Sequence, residues 1–246
     1  MKSLTLKLLL SIFSIVCLAG AYSSKAEAKL LDADLKTKAA DYYIIKDATD
    51  DKEGEVCAKL QNKLTVINIP ETVSIGNKEY IVTKVSGLCY PDYPDTSLKQ
   101  DSYKCEKNKK TKKIILPKTI SSIEKGTFTN FIKLKTIRID KENTRFKSIK
   151  GSVLSKNGKI LYGAVTQKGT YKVPKGVRTI ASRAFAYSPV KKVILPNGCK
   201  KIQARAFYRC TNLKTVKNIK SIRAIGSGAF YKTKLKNVTK DGKLKK

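Results

Sequence analysis

The feature that most constrains this 246-residue chain is a short motif that recurs at nearly fixed spacing. Its clearest copy is residues 191–213, KKVILPNGCKKIQARAFYRCTNL. Val193 and Leu195 alternate with outward positions, as the side chains of a short strand do. The pair Ala206-Phe207 follows, and a small residue beside a large ring suits a corner where one backbone packs closely and the ring fills the interior. The motif therefore predicts one turn of a coil.

Three further copies share the alternating apolar residues and a Phe corner. They are Ile114, Leu116, Pro117, Ile120, Ile123 and Phe128; Tyr171, Val173, Pro174, Val177, Ile180 and Ala184-Phe185; and Val216, Ile222, Ile225 and Ala229-Phe230. Phe185, Phe207 and Phe230 are 22 and 23 residues apart. A period of about 20 to 50 residues is typical of solenoids, in which each unit buries its apolar face only against its neighbours.

The motif VILPNGCKKIQARAFYRC resembles the leucine-rich repeat of the BspA-like, or treponemal, type found in many bacterial surface proteins. Residues 136–163, TIRIDKENTRFKSIKGSVLSKNGKILYG, resemble a long repeat that recurs in that family. The resemblance covers about residues 41–239 and implies a right-handed leucine-rich-repeat coil, mostly β and irregular, with short parallel strands on one face. The chain departs from the motif at Cys89-Tyr90, Thr127-Phe128 and Asn218-Ile219.

The first segment of the chain, residues 1–28, has the pattern of a secretory signal peptide. Lys2 and Lys7 precede an apolar run from Leu8 to about Gly20, and the sequence Ala-Glu-Ala ends the segment as an A-x-A cleavage site. The apolar run is too short to span a bilayer comfortably. No later run could serve as a second anchor, so we expect an exported mature chain without a transmembrane segment, either secreted or associated with the cell surface.

The rest of the chain divides into a cap, a solenoid and a tail. Residues 29–63 predict a capping β-hairpin, and their apolar content argues against a flexible leader. Residues 64–239 predict a solenoid of about six repeats, with an exposed polar insertion at 91–113 and the long variant repeat at 136–170. The insertion is either a binding loop or a tolerated addition without function. Residues 240–246 form a basic tail.

Composition excludes most catalytic chemistry. The chain contains no His, which removes His-based triads, imidazole bases and His metal ligands. There is no CxxC pair that would indicate a zinc site. Glu124, Asp140 and Glu142 fall near predicted turns without a paired partner. We therefore predict a protein that is not an enzyme, with no cofactor, no metal and no small-molecule substrate.

Export would permit disulfides between the cysteines of this chain. Five remain after the signal peptide. Cys199 and Cys210 occupy inward positions of the repeat and are predicted to be small core residues. Cys89 and Cys105 flank the insertion and are the pair that we favour for a disulfide. The odd count leaves a free thiol or an intermolecular link.

Charge is the most informative functional feature. The whole chain carries +33, and residues 143–246 contain 27 basic side chains with Asp241 as the only acid. The chain has 45 Lys and only 7 Arg, an excess that an AT-rich coding bias would produce, and Lys is common on exposed strands. Coding bias does not explain the loss of acids, however. The alternatives are a polyanion-binding surface and a cationic surface that only confers solubility.

Basic residues occupy the outward positions of the predicted strands and the residues just before them. The candidate binding residues are Lys112, Lys113, Lys135, Arg138, Lys172, Lys191, Lys192, Lys214, Lys217 and Lys236. Stacked strands lie about 4.8 Å apart, so we expect columns of cations with Ile115 and Ile194 among them as apolar contacts. The resemblance implies that this strand face is the recognition surface.

The leading hypothesis is an exported binding protein that attaches to host or matrix proteins, glycosaminoglycans or anionic cell-wall polymers. One alternative is a self-assembling scaffold module, which predicts uncovered apolar edges at the terminal turns. Another is an extracellular nucleic-acid binder, in which Tyr42, Tyr103, Tyr171 and Tyr187 stack on bases. The sequence does not set the oligomeric state.

Overall fold

The computed structural model describes residues 35–49, 53–61, 63–87, 108–129, 131–165 and 168–236. Within these ranges the chain forms eighteen strands and a short 3-10 helix at Ile219–Ser221. The strands are β1 (Leu35–Lys36), β2 (Ala40–Lys46), β3 (Gly54–Leu60), β4 (Val66–Asn68), β5 (Thr72–Ile75), β6 (Lys78–Ser86), β7 (Lys113–Leu116), β8 (Ser122–Ile123), β9 (Thr136–Ile139), β10 (Phe146–Ile149), β11 (Ser152–Ser155), β12 (Ile160–Gly163), β13 (Thr170–Lys172), β14 (Thr179–Ile180), β15 (Lys192–Ile194), β16 (Lys201–Ile202), β17 (Thr215–Lys217) and β18 (Ala224–Ile225). The predicted β-solenoid of about six turns is confirmed.

Each regular turn contributes two short strands to two separate parallel ladders. The first strand of the turn enters the three-stranded sheet β13-β15-β17 or its N-terminal counterpart, β4-β7-β9. The second strand enters the ladder β12-β14-β16-β18. The coil therefore has a second strand ladder besides the one that the repeat motif made evident. We call the outward side of β4-β7-β9 and β13-β15-β17 the strand face.

The core is built from the inward residues of successive turns. Val193 is fully buried and pairs with the inward residues of both neighbouring strands. The rings of Phe185 and Phe207 stack at 4.7 Å between centroids and 18° between planes, and those of Phe207 and Phe230 at 5.2 Å and 7°. Stacking of this kind requires that the corner recur at the same place in each turn. The predicted role of the Phe corners is confirmed.

The N-terminal strands form a sheet of a different kind. Strands β2 and β3 are antiparallel, and β3 then pairs in parallel with β6. Strands β5 and β6 form a hairpin whose turn contains Gly76 at a φ of 61°, a conformation that glycine adopts without steric cost. Strand β6 also pairs in parallel with β8. This sheet therefore lies against the first repeats through β6.

The long variant repeat contains an antiparallel meander, β10-β11-β12, that joins the parallel ladder through β12 and β14. Asn143 supports the turn before it. Its side-chain amide is fully buried, donates to the carbonyls of Pro117 and Ile120 at 3.3 and 2.8 Å, and accepts the backbone N–H of Phe146 at 2.7 Å. One buried amide thus ties the variant repeat to the preceding turn.

The prediction that residues 91–113 form an exposed insertion is wrong for the last residues of this range. Asn108 is 2% exposed and Thr111 is fully buried. Asn108 accepts the backbone N–H of Thr111 at 2.8 Å, and the Thr111 hydroxyl donates to the carbonyl of Leu64 at 2.7 Å. Lys113 already begins β7. The polar sequence suggested a loop, but these side chains instead satisfy backbone groups of the coil.

Several predictions fall outside the described residues. They concern the signal peptide at 1–28, the insertion up to residue 107 with Cys89, Tyr103 and Cys105, and the tail at 240–246. In the part of the chain that the structure describes, no helix has the length and apolar character needed to cross a bilayer.

A buried hydroxyl pair links the variant repeat to the first regular repeat after it. The Tyr171 hydroxyl lies 2.7 Å from Ser152 Oγ, which also accepts the backbone N–H of Val165 at 3.3 Å. Burial raises the pKa of Tyr171 to about 12, and the hydrogen bond to Ser152 opposes this rise only in part. The neutral phenol is therefore the form that the fold holds.

Stability should accordingly fall as the pH rises above 10. The unfolded phenol loses its proton near pH 10 and the folded one near pH 12, so the unfolded state gains the ionised form first. At pH 8, Tyr171→Phe should lower the free energy of unfolding by about 1 kcal/mol, because it removes one hydrogen bond. From pH 9 to 11 its stability should fall by about 1 kcal/mol less than that of the wild type. Urea unfolding at each pH measures both effects, and parallel pH profiles would contradict this account.

Two glycines of the repeats should respond differently to a methyl group. A Cβ on Gly226 would lie 2.3 Å from the backbone nitrogen of Ala204 in the preceding turn, and backbone cannot move aside cheaply. A Cβ on Gly198 would meet nothing within 4 Å. Gly226→Ala should therefore destabilise the protein by about 2 kcal/mol or more, and Gly198→Ala should change stability by no more than about 1 kcal/mol. Equal melting temperatures for the two variants would refute the close approach.

Candidate functional site

The predicted basic residues lie on the strand face or immediately before its strands. Lys113 and Lys192 are half-buried, and the other eight are exposed. Arg138 lies in β9, Lys172 in β13 and Lys217 in β17, each with its neighbouring inward residue in the core. The structure thus places these cations on the outward side of the coil, as the alternation of side chains predicts.

The expected continuous columns of cations are not present on the strands themselves. Lys192 is in register with Thr170 and Thr215, and Ile194 is in register with Lys172 and Lys217. Successive turns carry different residues at equivalent outward positions, so Lys172 and Lys217 are separated by two strand spacings, about 9 to 10 Å, and Lys192 has Thr on both sides. The expectation was wrong because the repeat fixes the inward residues more strictly than the outward ones.

The N-terminal half of the strand face repeats this alternation. Lys113 is in register with Val66 and Thr136. Ile115 is in register with Asn68 and Arg138. The face is therefore a mixed pattern in which cations surround isolated apolar side chains.

The lysines just before the strands do form adjacent pairs. The backbone N–H of Lys135 donates to the carbonyl of Lys112 at 2.8 Å, and that of Lys214 donates to the carbonyl of Lys191 at 2.9 Å. Each pair thus occupies neighbouring turns at the same edge of the strand face. Lys236 is exposed at the end of the described chain.

A second set of basic residues was missed by the sequence analysis. Its members directly precede the second strand of each turn and lie beside the other ladder. They are Lys159, Arg178, Lys200 and Arg223. The signal that could have found them is a basic residue directly before the dipeptides Ile-Leu, Thr-Ile, Lys-Ile and Ala-Ile.

The cations of the strand face have no acidic partners among the described residues. Among the described residues, ion pairs join Lys46 to Glu55, Lys84 to Glu124, and Lys118 to both Glu71 and Glu142, and none of these lysines belongs to the strand face. All lie before residue 143, where the acids of the sequence nearly end. The field of the later repeats is therefore of a single sign.

The thiols of the regular repeats are core residues, as predicted. Cys199 and Cys210 are free and fully buried, and Cys210 Sγ donates to the carbonyl of Phe185 at 2.9 Å. Burial raises the pKa of both thiols, so they stay neutral and unreactive near pH 7. In the described ranges, no three His, Cys, Asp or Glu side chains lie together as a metal site would require.

The base-stacking prediction of the nucleic-acid alternative does not hold for the described tyrosines. Tyr42 and Tyr171 are 2% and 4% exposed, so neither ring can stack on a base. Tyr187 packs edge-on against Tyr208, with ring centroids 5.7 Å apart. Of the large apolar residues that the structure describes, only Val66 is exposed, although Ile222 and Ile225 of the last turn are half-buried where their counterparts in the two preceding turns are fully buried.

Comparison with known proteins gives a match in sequence. The family model of the BspA type leucine-rich repeat region matches residues 54–171 and 165–246, with six copies of the repeat. No curated protein matches the chain.

Solved structures with similar folds have low sequence identity to this chain. A leucine-rich repeat protein from Eubacterium ventriosum is 25% identical over 51% of this chain, with a TM-score of 0.47, and the chain spans 35% of its length. The pneumococcal vaccine antigen PcpA is 16% identical over 82% of this chain and 80% of its own, with a TM-score of 0.42. A leucine-rich repeat protein from Treponema pallidum is 16% identical over 80% and 88%, with a TM-score of 0.37.

Proposed function

This chain belongs to the BspA-type leucine-rich-repeat family, and from that premise we propose that it is an exported binding protein that holds polymeric anions on its strand face. Proteins with these repeats are typically surface-associated and typically not enzymes. The observation that carries the proposal is the unpaired charge of the face. Residues 143–246 contain 27 basic side chains against one acid, and no ion pair among the described residues involves a strand-face cation.

The mechanism is the sum of many weak contacts. Each ammonium group that meets an anionic group of a polymer releases condensed counterions, so affinity grows with the number of contacts and falls with salt. Lys172, Lys192 and Lys217 surround the side chain of Ile194, which offers a small apolar contact between charges. Lysine is suited to this role because its ammonium group adapts to anions of varied geometry.

The partners that this chemistry fits are sulfated glycosaminoglycans, acidic host or matrix proteins, and anionic polymers of the cell wall. Export through the signal peptide at 1–28 would bring the protein to all three. Wall polymers would in addition retain the protein at the cell surface.

The proposal predicts that the protein stays bound to heparin and to purified cell wall above physiological ionic strength. Elution from an immobilised-heparin column and release from wall fragments, each in a rising salt gradient, provide the measurement. Release from both at or below about 0.15 M salt would refute the proposal, because a surface screened at that concentration could not work in its setting.

A variant with four substitutions on the strand face and at its edge, K172Q, K192Q, K214Q and K217Q, tests the location of the site. We expect it to elute at clearly lower salt than a control with four exposed lysines replaced elsewhere, K38Q, K63Q, K125Q and K133Q. Both variants lose four charges, so equal elution would show that net charge alone causes retention.

A further inference from the structure

The second ladder of the coil carries an unbroken column of cations. The backbone N–H of Arg178 donates to the carbonyl of Lys159 at 2.8 Å, that of Lys200 to Arg178 at 2.9 Å, and that of Arg223 to Lys200 at 2.8 Å. These bonds join the same position of four consecutive turns. We call these four residues the basic ladder.

All four side chains of the basic ladder are exposed. Each directly precedes a short strand whose inward residue packs into the core, such as Ile180 and Ile202 in β14 and β16, which are fully buried. The backbone that carries the cations is therefore fixed on a rigid frame. No ion pair within the described ranges includes any of the four.

The basic ladder differs from the strand face in its register. On the strand face, Lys192 lies between two Thr and Ile194 lies between two Lys, whereas every rung of the basic ladder is Lys or Arg. Adjacent rungs lie about 4.8 Å apart, and the four together span about 14 Å along the coil. Two of the four rungs are Arg, although the chain has only 7 Arg in all.

The basic ladder begins beside an open cleft of about 660 Å³. The turn that precedes Lys159 forms one wall of this cleft with Lys156 and Asn157, and Arg145 and Tyr162 also line it. Ser121 also lines the cleft and precedes β8 as the ladder residues precede their own strands. The cleft thus adds two cations, Arg145 and Lys156, and the ring of Tyr162 near the N-terminal end of the column.

We propose that the basic ladder is a second anion-binding surface, which takes a linear polymer of sulfate or phosphate groups laid along the coil axis. The proposal extends the proposed function and rests on its premise that the ligand is a polymeric anion, not on the strand face as the place where that anion binds. The two Arg rungs favour an oxyanion as the ligand, because a guanidinium group can donate hydrogen bonds to two oxygens of one sulfate or phosphate. The even spacing of the rungs favours a linear chain over a compact anion, because successive groups of one polymer meet successive rungs.

The test is a variant in which the whole ladder is neutralised, K159Q, R178Q, K200Q and R223Q. Its binding to heparin and to polyphosphate is measured by titration at several salt concentrations beside the wild type, the strand-face variant and the four-lysine control. We expect the logarithmic dependence of affinity on salt to become shallower by roughly 3, and affinity at about 0.15 M salt to fall on the order of 100-fold. The control should change the slope by less than about 1.

The two titrations identify the source of the anion. If the ladder variant loses affinity for heparin alone, the ligand is a sulfated polysaccharide, and if it loses affinity for polyphosphate alone, the ligand is a phosphate polymer. Thermal melting without polymer provides a second readout, in which the ladder variant should melt at or above the wild-type temperature because like charges are removed. If the fourfold variant does not fold, the double variant R178Q and K200Q takes its place in the same measurements.

The outcomes separate this proposal from the proposed function. A ladder variant that binds both polymers as tightly as the four-lysine control does would overturn the second surface, and the strand-face site would stand if its own variant loses affinity. A wild-type protein that binds neither polymer would overturn both. If only the ladder variant loses affinity, the basic ladder is supported as the binding surface and binding on the strand face is refuted.

Discussion

The structure depends on contact between consecutive turns, because no single turn can bury its apolar face alone. Backbone hydrogen bonds join each turn to the next on two ladders, and the stacked rings of Phe185, Phe207 and Phe230 fill the space between them. Deep burial of the small residues Ala206 and Ala229 beside these rings lets the backbones approach closely. Everything on the surface inherits its spacing from this stacking.

Regular stacking has an electrostatic consequence for a chain with so few acids. When one position of the repeat is basic in adjacent turns, the cations are held near one another by the backbone. Two unit charges about 5 Å apart repel by about 0.8 kcal/mol even in bulk water, and by more near a protein surface. The acids that could offset this repulsion are concentrated before residue 143, where Glu124 and Glu142 pair with lysines. The later repeats have no such compensation within the described chain.

The sequence predicted the solenoid and the inward residues because the motif constrains them directly. Val193 and Phe207 were identified from their spacing, and both are fully buried. The second ladder was harder to find because β14, β16 and β18 have two residues each and only one inward side chain, which gives no visible alternation. Asn143 was not identified either, because a buried amide is recognisable only from the backbone groups that surround it.

Strand-face registration was predicted only in part, and the reason bears on function. Inward positions must match from turn to turn to pack, but outward positions are free to vary, so Ile194 can lie between Lys172 and Lys217. An unbroken outward column is therefore not a by-product of packing. The basic ladder keeps a cation at four consecutive rungs where packing imposes no such choice. A polymer that binds only the stacked coil would stabilise it by RT ln(1 + [L]/Kd), which couples the integrity of this fold to the presence of its ligand.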